Sequence, residues 1–132
     1  MIKVFLGGTC AESTWRDELI PLLNIDHFNP VVDDWTEECQ KREKYERQTC
    51  DFVLYTITNQ MQGVYSVAEV VDDSNKRPER TIFCNLFKSS DKSMQKSLKA
   101  VETLVEENGA KVFHNLLDVS RYLNKMGEYY EK

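Results

Sequence analysis

The sequence predicts an α/β protein built on a doubly wound, five-stranded parallel sheet. Two observations point to this fold class. Short apolar runs, each too short for a helix, alternate along the chain with longer amphipathic or charged segments. One run, residues 52–57, is apolar almost throughout, as is typical of a central strand buried on both faces. Strict alternation of strand and helix indicates parallel strands joined by right-handed crossovers, with helices on both faces.

The first half of the chain is predicted to supply two strands and two helices. Residues 2–6 form an apolar run that ends at a Gly-Gly pair, which favours a buried strand. Ser13 or Thr14 can cap the helix that follows. The apolar face of that helix would consist of Trp15, Leu19, Leu22 and Leu23. Residues 27–32 are predicted to form an edge strand, because Pro30 cannot donate to a ladder, and the charged residues 36–49 a helix.

The second half repeats the alternation. After the strand at 52–57 and a loop at 58–63, a helix is expected over residues 64–73, with Pro78 as the stop signal. The remaining elements are expected as a strand at 81–86, a helix at 90–107, a strand at 111–114 and a helix at 117–130. We therefore expect a three-layer flavodoxin-like or Rossmann-like sheet with strand order 2-1-3-4-5, forming a single domain over residues 1–132.

Composition excludes several classes of protein. Lys and Arg number 17 against 22 Asp and Glu, and this net charge of −5 opposes binding to a nucleic-acid polymer. No apolar run approaches the ~20 residues of a membrane span, and the N-terminus turns polar too soon for a signal peptide. Four cysteines without a CxxC pair, beside two histidines, predict neither a disulfide framework nor zinc. We expect a reducing cytoplasm, no metal and no cofactor.

Ligands of doubly wound sheets bind beyond the carboxyl ends of the strands. The first such segment, Gly7-Gly8-Thr9, allows close backbone approach to a ligand and offers a hydroxyl, although the same residues suit a plain tight turn. The second contains Asp34 and Trp35, which could hold a sugar hydroxyl and stack on a base, or could form a solvated turn. Cys10 has no histidine near it in sequence, and we interpret it as incidental.

The third segment leaves the central strand and enters a helix whose first turns hold Tyr65, Ser66 and Glu69. Ser66 and Glu69 are three residues apart and share a face. On the inward side, among valines, the Glu69 carboxylate would be partly desolvated; on the outward side it would be an ordinary surface glutamate favoured by the helix dipole. Glu43 lies on the charged helix, where solvation is the default, and Asp51 is expected to position backbone before the central strand.

Three motifs resemble the nucleoside 2-deoxyribosyltransferase-like superfamily, which includes nucleoside deoxyribosyltransferases and deoxynucleoside 5′-phosphate N-hydrolases. They are VFLGGT at residues 4–9, CDFVLY at 50–55 and GVYSVAE at 63–69. Residues 29–35 and 70–78 are similar to a small branch that is itself called nucleoside 2-deoxyribosyltransferase-like. The resemblance extends from Ile2 to about Leu86.

The resemblance implies a role for each matching residue. Glu69 matches the family's nucleophilic glutamate, and Glu43, eight positions before Asp51, matches an acidic residue that family enzymes use. Gly63 stands where the family has Asp or Ser, and Tyr65 replaces one of the family's glycines. Ser66 is then the candidate for the missing hydroxyl.

The family's reaction cleaves or transfers at an N-glycosidic bond of a (deoxy)nucleoside or nucleotide without a metal or cofactor. The resemblance implies that Gly7, Gly8 and Thr9 receive the sugar 5′ side or a phosphate, while Trp35 flanks the base beside Asp34. It also implies a homo-oligomer, a dimer or larger. In some relatives a neighbour's C-terminus completes the site, and the tail at residues 129–132 is a candidate for that role.

Several alternatives stay open on the sequence alone. Transferase and hydrolase differ only in whether a base or water is the second acceptor. A nucleotide-binding or signal-sequestering module without turnover is the main rival. Residues 8–14 are also loosely similar to the phosphate loop of an FMN binder. A response-regulator receiver is disfavoured, because the first strand lacks a trailing acidic pair.

Overall fold

A computed structural model of the chain describes residues 1–10 and 13–131. Five parallel strands form one sheet in the order β2-β1-β3-β4-β5, with helices on both faces, so the predicted fold class and strand order are confirmed. The elements are β1 (Lys3–Gly8), α1 (Trp15–Leu19), β2 (Asp26–Phe28), α2 (Glu37–Thr49), β3 (Phe52–Ile57), α3 (Tyr65–Lys76), β4 (Thr81–Asn85), α4 (Lys92–Glu107), β5 (Lys111–Phe113) and α5 (Leu116–Tyr130). The loop predictions that include residues 11 and 12, and the tail residue 132, lie outside the described residues.

Alternating side chains of the strands build two apolar layers. On one face, Val4 and Leu6 of β1 pack with Leu54 of β3 beneath α1 and α5. On the other face, Phe5 and Tyr55 pack beneath α3 and α4. Because β3 is paired on both sides and covered on both faces, every one of its residues is buried, as its apolar composition predicts. None of the described helices is long and apolar enough to cross a membrane.

The predicted second strand at residues 27–32 is wrong in its extent. β2 lies at the sheet edge, but its pairing with β1 ends at Phe28, so Pro30 follows the strand. The Asn29 side chain accepts a hydrogen bond from the Val31 N–H at 3.0 Å. This local bond competes with strand pairing, and residues 30–32 are left to line a cleft described below.

The predicted first helix is also shorter than its apolar pattern implies. It ends at Leu19, and a 3-10 turn over Ile20–Leu22 follows, because Pro21 has no N–H for a helical bond. Leu22 is exposed, so the predicted face of four apolar residues is wrong at this position. Thr14 occupies the N-cap position but its side chain makes no capping hydrogen bond.

Helix α3 runs three residues past its predicted end at residue 73. Its last turn is stabilised by Asp73, whose fully buried carboxylate accepts hydrogen bonds from Arg77 Nη2 at 2.8 Å and Nε at 3.1 Å. Ser74 in the same turn is also buried and donates to the Val71 carbonyl. From sequence, we interpret this polar segment as the end of the helix. In the structure, Asp73 and Arg77 form a buried ion pair within it.

The Gly-Gly pair at the end of β1 is dictated by close packing. A Cβ on Gly7 would lie 2.7 Å from the Tyr55 ring. Gly8 has φ +118°, and a Cβ there would overlap the Thr56 carbonyl oxygen. Glycine therefore lets β1 and β3 stay paired to their carboxyl ends, where Gly8 lies opposite Thr56.

We expect Gly8→Ala to lower the free energy of unfolding by about 2 kcal/mol or more, because the new methyl group meets backbone at a positive φ. Gly63→Ala is the matched control. Apart from its two chain neighbours, none of the described residues places an atom within 4 Å of its ideal Cβ, and we expect a change within about 0.5 kcal/mol. Chemical denaturation measures both, and equal effects of the two substitutions would contradict this account.

Candidate active site

A cleft of about 360 Å³ opens at the carboxyl ends of β1 and β3. The sheet order reverses direction between these strands, so the cleft lies at the switch point where such folds bind ligands. Its walls come from the end of β1, the loop after β2, helix α2 and the first turns of α3. The predicted site residues that line it are Gly7, Gly8, Trp35, Glu43, Tyr65, Ser66 and Glu69.

Two other predicted residues line an adjoining cleft of about 260 Å³, which shares Gly8, Tyr65 and Ser66 with the first. They are Thr9 and Gly63. Asp34 is exposed and lines neither cleft. The structure thus brings most of the predicted residues around one opening and leaves Asp34 outside it.

Thr9 holds the end of β1 against neighbouring backbone. Its hydroxyl accepts a hydrogen bond from the Thr58 N–H at 3.0 Å, and its carbonyl accepts from Trp15 Nε1 at 2.9 Å and Arg16 Nη1 at 2.8 Å. The residue is buried. These bonds fix the loop after β1, so Thr9 shapes the cleft through its backbone position.

Glu69 projects from the second turn of α3 and is only 12% exposed at its side chain. Burial raises its pKa to about 7, with Arg47 opposing the shift and Glu43 adding to it. Arg47 Nε lies 3.5 Å from Glu69 Oε2. No hydrogen bond from the described residues reaches Glu69 Oε1. Of the two interpretations open from sequence, Glu69 is therefore the desolvated carboxylate on the inward side.

Glu43 lies on the wall contributed by α2 and is half-buried. Burial raises the pKa of its carboxyl, while the guanidinium groups of Arg16 and Arg47 oppose that rise. Surface solvation, the default interpretation for this charged helix, is wrong for Glu43. Two carboxyl groups, both harder to ionise than usual, thus line the same cleft.

Arg47 belongs to a buried network that the sequence analysis missed. Its Nε contacts the Tyr55 hydroxyl at 2.9 Å and Asp73 Oδ2 at 3.1 Å, and its Nη2 contacts Asp72 Oδ2 at 3.1 Å. The Tyr55 hydroxyl also donates to Asp73 Oδ2 at 2.6 Å. This network joins α2, β3 and α3 directly behind Glu69. Periodicity alone gives no signal for it, because its members are far apart in sequence.

Arg16 was also missed. Its guanidinium is buried, donates from Nε to the Leu6 carbonyl at 2.9 Å, and lies 4.4 Å from the centre of the Trp15 ring. Burial lowers its pKa, although Cys10 and Glu43 favour its charged form. Arg16 lines the cleft and places a positive charge opposite the carboxylates.

The mouth of the cleft is apolar. Val31 and Val32 follow the early end of β2, and Trp35 and Tyr65 are well exposed beside them. Exposed aromatic rings at an opening suit stacking on a flat ring. The sequence analysis placed residues 31 and 32 in a strand and therefore did not include them in the site.

Ser66 is partly buried on the wall. Gly63 faces open space, so no steric contact requires a glycine at that position. Tyr130, the last residue of α5, lies at the other end of the sheet, where its ring packs 6.5 Å from Phe52, the first residue of β3. Tyr130 is thus remote from the cleft of its own chain.

The fold and this cleft define an α/β protein with paired carboxylates at the ligand-binding edge of its sheet. The family model described as nucleoside 2-deoxyribosyltransferase like matches residues 1–85. The chain belongs to this family, which confirms the resemblance and supports a nucleoside-related role in glycosyl transfer. The matched segment contains every predicted site residue. Comparison with curated proteins finds no significant match.

We expect the Glu69 carboxyl to titrate with a pKa of about 7 when followed by carbon-13 NMR. Glu43→Gln should lower that pKa, because it removes a negative charge that disfavours ionisation of Glu69. Glu107→Gln, at the exposed end of α4, is the control and should leave it unchanged. An ordinary Glu69 pKa in the unsubstituted protein would show that the carboxylate is solvated.

Proposed function

We propose that this protein cleaves or transfers at the N-glycosidic bond of a (deoxy)nucleoside or nucleotide, with Glu69 as the nucleophile. The observation that carries the proposal is the Glu69 carboxylate itself. It is desolvated at the switch point of the sheet, with Oε2 beside Arg47 and Oε1 without a hydrogen bond from the described residues. Family membership supports the choice of a nucleoside or nucleotide as the substrate.

In the first step, a Glu69 oxygen bonds to the anomeric carbon of the sugar. The carbon–nitrogen bond breaks, its electron pair leaves with the base, and the base takes a proton from water. The transition state is oxocarbenium-like, so a carboxylate next to the ring stabilises the developing positive charge. A sugar ester of Glu69 results.

In the second step, water or a second base attacks the same carbon, the bond to the Glu69 oxygen breaks and releases the carboxylate, and the acceptor gives up a proton to solvent. Two attacks at one carbon restore its configuration, as in retaining glycoside hydrolysis. Water as the acceptor gives a hydrolase, and a base gives a transferase. The proposed reaction requires no metal or cofactor.

Glu43 is proposed to hydrogen-bond the sugar or orient the incoming acceptor. Burial raises the pKa of its carboxyl, and Arg16 and Arg47 oppose that rise. The ionised carboxylate can accept a hydrogen bond from a sugar hydroxyl or from the incoming acceptor.

The remaining residues would position the substrate. Gly8, whose backbone lines the cleft, would receive the sugar 5′ side. Trp35 and Tyr65 would flank the base at the mouth, and Ser66 would offer its hydroxyl to the sugar.

We also propose that residues 1–132 act as one nucleoside 2-deoxyribosyltransferase-like domain in the cytoplasm and as a homo-oligomer. Because Tyr130 lies at the sheet edge opposite the cleft, any contribution of the tail to a site would be to a neighbouring copy. Light scattering after size exclusion tests the oligomer.

We expect Glu69→Gln to reduce base release about a thousandfold or more, because the amide cannot form the sugar ester. Glu43→Gln should reduce it about a hundredfold. Glu79→Gln, exposed at the opposite sheet edge, is the control and should retain full activity. The assay is chromatographic detection of free base, with thermal unfolding as a check on folding. Full activity of Glu69→Gln would exclude this mechanism.

Because attack requires the ionised carboxylate, we expect the rate of base release to rise with pH through about 7, the pKa of Glu69. A profile of kcat/KM, which reports the ionisations of the ligand-free protein, measured from pH 5 to 9 tests this. A rate that does not change across that range would show that the reaction does not depend on ionisation of Glu69.

The substrate panel should contain deoxynucleosides and their 5′-monophosphates, with and without a free acceptor base. Free base alone would indicate hydrolysis, and a new nucleoside would indicate transfer. Tight nucleotide binding without either product would favour the rival module that binds and does not turn over.

A further inference from the structure

A second large cleft, of about 600 Å³, lies at the same edge of the sheet but at the carboxyl ends of β4 and β5. Asn85, the last residue of β4, and His114, directly after β5, line it beside helix α4. Apart from Asn85, its lining lies beyond the residues matched by the family model. The reaction proposed above makes no use of this cleft.

The cleft is strongly basic in a chain whose net charge is −5. Four lysines line it: Lys88, Lys92, Lys96 and Lys99. Among the described residues, no carboxylate lies within 4.0 Å of the ammonium groups of Lys88, Lys92 or Lys96. Like charges around one opening raise the local positive potential, and a bound anion relieves it.

The one carboxylate in the cleft is already engaged. Glu102 is buried, and its oxygens accept hydrogen bonds from Asn85 Nδ2 at 2.8 Å and His114 Nε2 at 2.7 Å. Burial raises its pKa, but these two hydrogen bonds, together with the nearby charges of His114 and Lys99, hold the pKa below its ordinary value. Glu102 therefore fixes the orientation of Asn85 and His114, and only Lys99, 3.7 Å away, is within ion-pair distance of it among the four lysines.

The backbone that carries Lys88 is held in place. The Asn59 side chain donates to the Lys88 carbonyl at 2.7 Å and accepts from the Lys88 N–H at 2.7 Å. This pair ties the loop after β4 to the loop after β3. The Lys88 ammonium therefore projects from an anchored segment, which lowers the entropy lost when it meets a ligand.

The spacing of the lysines indicates the size of the ligand. Lys92, Lys96 and Lys99 follow one face of α4, and the first and last are about 10 Å apart along the helix axis. A chain of linked phosphates can therefore meet more of these lysines at once than a single phosphate can. A long polyanion would also meet the otherwise acidic surface of the protein, which opposes it.

We propose that this cleft binds a small molecule carrying two or more linked phosphate groups. The test uses tripolyphosphate as the probe and orthophosphate as the single-phosphate comparison, by titration calorimetry near physiological salt. We expect saturable binding of tripolyphosphate at one site, and orthophosphate at least about tenfold weaker, since it meets fewer of the lysines at once.

The test variant carries Lys88→Gln, Lys92→Gln, Lys96→Gln and Lys99→Gln, and should bind tripolyphosphate at least about thirtyfold more weakly. The matched control changes four exposed lysines elsewhere, Lys41, Lys44, Lys111 and Lys125, to Gln. It has the same net charge and should stay within about threefold of the unsubstituted protein. Circular dichroism checks that both variants fold.

Amide NMR locates the probe, with shifts expected at Asn85, Lys88 and His114. Shifts at Gly8 and Ser66 instead would assign the anion to the first cleft and overturn the proposal. Three other results would also overturn the proposal: no saturable binding of tripolyphosphate, an equal loss of affinity in both variants, or tighter binding of a single-stranded oligonucleotide than of tripolyphosphate. Base release is not a readout, so the outcome is independent of the proposed catalytic function.

Discussion

The fully buried carboxylate of Asp73 constrains the arrangement of the candidate active site. A buried charge requires ion-pair or hydrogen-bond partners. The Asp73 carboxylate is paired with Arg47 of α2 and Arg77 after α3, and it accepts a hydrogen bond from the Tyr55 hydroxyl of β3. Removing one partner of such a group typically costs about 3–5 kcal/mol. The network therefore holds α2 and α3 at a fixed distance from the central strand. Because Arg47 also contacts Glu69, the position of the proposed nucleophile depends on the same network.

Reactivity and stability oppose each other at Glu69. Its pKa is raised to about 7 by burial, so the folded protein binds this proton more tightly than the unfolded chain does. The resulting stability is fully present below the ordinary pKa of 4.5 and is lost as the pH rises through about 7. At neutral pH the carboxylate that the reaction requires weakens the fold that positions it. The Asp73 network offsets this by supplying Arg47 on the inner side of Glu69, which favours the ionised form.

Local sequence pattern was sufficient for the parallel sheet and for the edge at which its ligands bind, because apolar period and strand–helix alternation determine them. The confirmed strand order came from the flavodoxin-like fold class, since alternation alone is compatible with more than one order. Motif resemblance added Glu69 and Glu43. Local pattern failed where a single residue overrides it: Pro21 ends α1 early, and Asn29 and Pro30 end β2 before the apolar Val31 and Val32. It also failed for Arg16 and Arg47, because a charged side chain is ordinarily expected at the surface. Their burial depends on partners distant in sequence, which no local period encodes.

The core and the site are encoded in different parts of the chain. The predicted site residues lie within residues 1–85, yet α5 covers β1 and β3 with Val119 and Leu123. A Cβ on Gly127 of α5 would lie 2.6 Å from Ile25, so this helix also sits directly against the segment before β2. A chain shortened to the family-matched segment would expose Val4, Leu6 and Leu54 to water. The C-terminal third therefore supports the candidate active site through this apolar cover, although none of the predicted site residues lies in it.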